Sequence, residues 1–107
     1  MRGELWTVSA GVYSGQPRPA LVIQDDSFMK TDSVTVVPLT TFQTDAPLAR
    51  MAVAPAATNG LAAPSWLMID KVTTVHLSQL GQRLGRLTAS QIVQAERLLL
   101  VFLGMAR

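Results

Sequence analysis

The sequence contains no cysteine. That removes a disulfide framework, a thiolate metal site and a cysteine nucleophile together. Histidine is nearly absent as well. His76 stands alone, so a histidine-based metal centre is excluded and one imidazole at most is available for acid–base work. No glycine-rich phosphate loop of either standard spacing occurs. No apolar run approaches ~18 residues, so no membrane span is expected. The first residues, Met1-Arg2-Gly3-Glu4, enter a strand pattern directly and carry no signal-peptide core. With no cysteine and no such segment, a cytoplasmic protein without a membrane partner is the simplest expectation. Charge is scarce too. Asp, Glu, Lys and Arg make up 15% of the chain, against about 25% in an ordinary globular domain.

What is present is apolar. Hydrophobic residues account for 49% of the 107 residues. That rules out disorder, and it exceeds what one small monomer readily hides, which points to a homodimer. A chain of 11.5 kDa holds one core, so residues 1–107 are read as one domain. Net charge is +2. The cations gather in the second half, where Lys71, Arg83, Arg86, Arg97 and Arg107 face only Asp70 and Glu96. This bias permits a nucleic-acid partner without forming the polybasic stripe of a non-specific binder.

The periodicity is that of short strands. Residues 4–9 alternate, with Trp6 and Val8 on one face. Residues 20–24 form a second strand, which Asp25-Asp26-Ser27 breaks by starting a turn. Residues 28–32 read as a helical turn or loop. Residues 33–39 are a third strand, with Pro38 marking its end or an edge position. Residues 48–54 alternate again as a half-exposed fourth strand. Asn59-Gly60 centres a turn-rich segment at 55–64. A fifth strand covers 65–69, and 72–77 continue in β-rich composition. Gly81 and Gly85 are expected to bracket a polar bend, leaving Gly85-Arg86-Leu87 as a short last strand. Then Thr88-Ala89-Ser90-Gln91 spells a capping box for a helix reaching about Leu103, with Gly104 as its natural stop. Its end, Leu98-Leu99-Leu100-Val101-Phe102-Leu103, is apolar all round and asks for burial on every face. The fold class is therefore mainly β with a C-terminal helix, as a curved sheet or partial barrel.

The chain is organised around Gly15-Gln16-Pro17-Arg18-Pro19-Ala20-Leu21-Val22-Ile23. The two prolines hold Gln16 and Arg18 extended. A guanidinium thus stands at the entrance of a stiff apolar strand. It serves either as a phosphate-binding fork or as a surface arginine in a salt bridge. Thr40-Thr41 after Pro38, and Asp70-Lys71 after the fifth strand, also sit where strand meets loop. Asp25-Asp26 is better explained by turn initiation, and His76 by ordinary packing or exposure.

Taken in order, five landmarks are similar to one family. They are Arg2-Gly3-Glu4-Leu5-Trp6, Arg18-Pro19-Ala20-Leu21-Val22-Ile23, Val36-Val37-Pro38-Leu39-Thr40-Thr41, Ile69-Asp70-Lys71-Val72-Thr73-Thr74-Val75, and Gly85-Arg86-Leu87-Thr88 before the helix. Nearly the whole chain resembles the MazF/PemK family of type II toxins. The resemblance implies an SH3-like partial barrel of the CcdB/PemK type, active as a homodimer. It implies a metal-independent endoribonuclease that needs no cofactor and cuts single-stranded RNA at a short sequence, held in check by a cognate antitoxin whose disordered tail covers the RNA site. Matched residue by residue, Arg18 and Thr40 take the catalytic positions. Asp70 takes that of an aspartate given a base-like role in some members. Tyr13, Gln16, Thr41, Gln43 and Lys71 are then candidates for RNA binding. The sequence departs from the pattern in a short loop before Arg18 lacking Glu or His, in Met68 where some members carry arginine, and in Gln79 at a commonly basic position. The alternative is a CcdB-like, non-enzymatic toxin that binds and poisons DNA gyrase, echoed in Ser65-Trp66-Leu67-Met68. Arg-Pro-Ala and Pro-x-Thr favour the ribonuclease.

Overall fold

A computed structural model describes residues 1–9 and 16–106. Among these residues seven strands form one antiparallel sheet: β1 (Glu4–Val8), β2 (Arg18–Val22), β3 (Ser33–Thr40), β4 (Arg50–Val53), β5 (Ser65–Met68), β6 (Thr73–His76) and β7 (Leu80–Arg86). One helix, α1 (Ala89–Phe102), closes the chain. The spatial order is β4-β5-β3-β2-β1-β7, with β6 pairing β3 alongside. This is the mainly β, open partial barrel with a C-terminal helix that the sequence led us to expect.

Consecutive strand residues point to opposite faces, and here both faces are covered. Leu5, Leu21, Val37, Leu39, Met51, Val53 and Leu67 meet Ala95 and Leu99 of α1 in one core. Val8, Ala20, Val22, Val34, Val36 and Val75 form a second on the other side. That is why β2 and β3 read as near-continuous apolar runs. β4 follows the half-exposed pattern, with Met51 and Val53 buried and Ala52 exposed.

Three strand assignments change. β2 begins at Arg18 rather than residue 20, because pairing with β1 extends past Pro19, through Thr7↔Pro19 and Val8↔Arg18. Pro38 does not end β3. It lies opposite Ala20, and its other edge is where the partner changes from β6 at Val36↔Thr73 to β5 at Leu39↔Leu67. A residue without an N–H is tolerated at such an interruption. Gly81 and Gly85 bracket no bend; both lie inside the seven-residue β7. Gly85 is needed for close approach instead, since a Cβ there would stand 2.2 Å from the Thr58 carbonyl oxygen. The N–H of Arg86 donates to that carbonyl at 2.8 Å. β1 against β7 also carries two register shifts, which sharpen local twist and curl the sheet.

Other local signals hold. Asp25 accepts the Ser27 N–H at 2.8 Å and starts a 3-10 turn at Asp26–Phe28. That hydrogen bond holds the Asp25 carboxyl below its ordinary range. Asn59 is buried and centres the 55–64 segment. Its Oδ1 accepts from Ala56 and Leu61, and its Nδ2 donates to Ala54. Glu4 ties β1 to β7 by accepting from Trp6 Nε1 at 3.0 Å and Arg83 Nε at 2.8 Å, and these bonds lower its pKa. Thr88 and Gln91 form the expected capping box, and Gly104 follows α1 with φ of +75°. No helix among the described residues is long and apolar enough to cross a membrane.

Candidate active site

The β2–β3 register runs Val22↔Val36, Leu21↔Val37, Ala20↔Pro38. Carried two residues further, it sets Arg18 opposite Thr40. Both border one cleft, together with Pro19, Leu39, Thr41 and Ser65. Arg18 opens β2 and is exposed; Thr40 ends β3 and is half-buried. The cleft measures about 210 Å³. That is below the roughly 300 Å³ at which small-molecule pockets begin, and its open form suits a stretch of polymer backbone better than an engulfed ligand.

The Thr40 hydroxyl is oriented. Its Oγ1 accepts the Phe42 N–H at 3.1 Å. This side-chain turn leaves the hydroxyl hydrogen free to donate and one lone pair free to accept. Ser65 is buried at the cleft wall, and its Oγ donates to the Ala63 carbonyl at 2.9 Å. A permanent cation and an oriented hydroxyl therefore meet on one concave surface, an arrangement that suits a phosphodiester.

The remaining candidates are distributed more widely. Thr41 lines the cleft. Gln16 and Gln43 are exposed, two residues before Arg18 and two after Thr41. Asp70 and Lys71 lie in a 3-10 turn at Ile69–Lys71, beyond β5, and do not line the cleft. The Asp70 carboxylate is bound by the Nη1 of Arg50, which also donates to the Ala49 carbonyl at 3.1 Å. Tyr13 falls outside the described residues. His76 is exposed, and its Nδ1 accepts the Ser78 N–H at 3.1 Å, which agrees with the plain structural reading of this residue. Among the described residues no three His, Cys, Asp or Glu side chains gather as a metal site.

The model of the PemK-like, MazF-like toxin family of type II toxin–antitoxin systems matches residues 1–103. The chain belongs to that family. A curated protein from Mycolicibacterium smegmatis, "Probable endoribonuclease MazF", is 56% identical over 106 residues, covering 98% of this chain and 97% of its own. Among solved structures, Mycobacterium tuberculosis toxin MazF-mt6 superposes with a TM-score of 0.83 at 24% identity, covering 97% of this chain and 99% of that one. A MazE–MazF crystal structure from Deinococcus radiodurans gives 0.77 at 20% identity, covering 98% and 96%. These two likenesses show the fold.

For this toxin, sequence reasoning missed Ser65, Arg50 and the placement of Phe42. Ser65 reaches the cleft because Thr40 pairs with Trp66, its neighbour on β5. Arg50 meets Asp70 because β4 pairs with β5 through Arg50↔Met68. Both depend on long-range register. The available signal for Arg50 was a lone charge in an otherwise apolar alternating strand. For Phe42 it was a lone aromatic in a polar run.

Proposed function

We propose that this toxin is an endoribonuclease that cuts single-stranded RNA at the Arg18–Thr40 cleft, using the substrate's own 2′-hydroxyl and no metal ion. The convergence of Arg18 and Thr40 on one cleft from adjacent strands carries this reading. Its support is the family match and the similarity to a protein named as a probable endoribonuclease.

RNA brings its own nucleophile, so a chain without cysteine and with one histidine remote from the cleft is not handicapped. The 2′-oxygen attacks phosphorus, its proton passing to water, as the bond from phosphorus to the 5′-oxygen breaks and that oxygen takes a proton from water. The products are a 2′,3′-cyclic phosphate and a 5′-hydroxyl. Arg18 stabilises the charge that builds on the non-bridging oxygens, the role in which a preorganised donor is worth most. Thr40 hydrogen-bonds the phosphate or the 2′-hydroxyl and fixes the line of attack. A guanidinium offers donors and no acceptor lone pair, so Arg18 supplies charge and hydrogen bonds rather than a base. Asp70, the carboxylate offered by the sequence, is engaged by Arg50 away from the cleft. We assign it to holding the 3-10 turn against β4. Gln16, Thr41, Gln43, Lys71 and Tyr13 are the candidates for contacts to unstacked bases and backbone, and so for sequence preference.

The toxin acts in the cytoplasm as a homodimer and is neutralised by a cognate antitoxin. The exposed apolar end of α1 supports the dimer. A mycobacterial relative at 24% identity has been solved as an "endoribonuclease in complex with its cognate antitoxin", which supports the partner.

The test is incubation of long single-stranded RNA with purified toxin in EDTA, followed by analysis of the product ends. Discrete cuts bearing 5′-hydroxyls and cyclic phosphates are expected. Cleavage that requires an added divalent ion, or that leaves 5′-phosphates, contradicts the mechanism.

A further inference from the structure

Residues 40–45 read Thr-Thr-Phe-Gln-Thr-Asp, polar except for Phe42. The Phe42 ring is 74% exposed and belongs to neither core. An exposed phenylalanine forgoes the free energy that burial would bring. Its backbone is nonetheless tied down, because its N–H donates to Thr40 Oγ1 at 3.1 Å. Its predecessor Thr41 lines the cleft. Phe42 therefore stands two residues, at most about 7 Å of chain, from the Thr40 hydroxyl. That is within reach of the nucleotide next to a phosphate seated between Arg18 and Thr40.

We propose that Phe42 is a stacking platform for an unstacked base adjoining the scissile phosphate of single-stranded RNA. The inference rests on the endoribonuclease reading and adds to it a positioning residue. Every base has a flat π-face, so an aromatic ring holds a single-stranded base without regard to its edge. The polar neighbours Thr41 and Gln43 are left to read that edge. The hydrogen bond from Phe42 to Thr40 links the two functions. A base resting on the ring steadies the backbone segment whose N–H orients the catalytic hydroxyl. Stacking here also discriminates against duplex RNA, whose bases already stack on one another.

The test uses the full-length toxin and a short single-stranded RNA containing a mapped cut site. Steady-state cleavage is measured for wild type, Phe42→Ala and Phe42→Trp. It is measured on the intact strand and on strands with one abasic ribose at each position flanking the cut. Circular dichroism and native mass accompany each variant. Phe42→Ala is expected to lower kcat/KM roughly 5- to 100-fold, mainly through KM, and Phe42→Trp to restore it. At one abasic position the wild type is expected to fall to the level of Phe42→Ala, while Phe42→Ala loses nothing further. A merely structural role does not produce that selective loss of coupling.

Equal activity of wild type and Phe42→Ala overturns the stacking role and leaves the endoribonuclease reading standing. The same holds if Phe42→Ala loses one constant factor on every abasic strand, or changes the native mass. A folded wild type that leaves all RNA intact overturns the endoribonuclease reading, and this inference with it.

Discussion

Asp70 and Arg50 form an ion pair in which Arg50 is only 12% exposed and Asp70 32%. The Nε of Arg50 is buried and has no hydrogen-bond partner among the described residues. Removing the carboxylate deprives a nearly buried cation of its counter-charge, which is the costly direction. Asp70→Asn is therefore expected to lower stability by about 1–3 kcal/mol, read as a drop in the thermal midpoint, while cleavage by the folded protein persists. An unchanged midpoint together with lost cleavage contradicts the assignment and returns Asp70 to proton transfer. At this scale the sequence picked out Arg18, Thr40 and Asp70 because each sits where a strand meets a turn. It left Arg50 unnoticed because an ion pair between β4 and the turn after β5 exists only once Arg50↔Met68 sets the register.

At the scale of elements, α1 was the most legible part of the chain. Its start is written within four residues: Thr88 Oγ1 accepts the Gln91 N–H at 3.2 Å, and Gln91 Oε1 accepts the Thr88 N–H at 2.9 Å. Thr88→Ala is expected to cost about 1 kcal/mol, or a midpoint lower by about 4–8 °C, with cleavage unaffected below the transition. An unchanged midpoint contradicts the capping role. β7 was the least legible. Its glycines carry the local signature of a bend. What makes them strand residues is the approach of the Thr58 carbonyl and of the Thr7 side chain from elsewhere in the fold. Pro38 misled in the same way. It reads as a strand end until two different neighbours, β6 and β5, divide the edge of β3 between them.

For the whole molecule, the curled sheet buries apolar side chains on both faces, but the helix end does not share that cover. Leu100, Val101, Phe102 and Leu103 are 40%, 39%, 47% and 56% exposed. A small protein rarely leaves so continuous an apolar surface to water. The toxin is expected to elute with a mass near twice its 11.5 kDa in size-exclusion chromatography with light scattering, and Leu103→Glu to shift it toward monomer. A monomeric wild type at micromolar concentration contradicts the dimer. Within the sheet, the β2–β3 register brings Arg18 and Thr40 to one cleft, where RNA is cut. The most direct test is cleavage of a long single-stranded RNA in EDTA by wild type, Arg18→Ala and Thr40→Ala side by side, with product ends mapped. Discrete cuts by the wild type and a loss of roughly 10²- to 10³-fold or more in each variant, with the fold intact, are expected. Either variant cutting at the wild-type rate contradicts the site, and intact RNA with a folded wild type contradicts the activity itself.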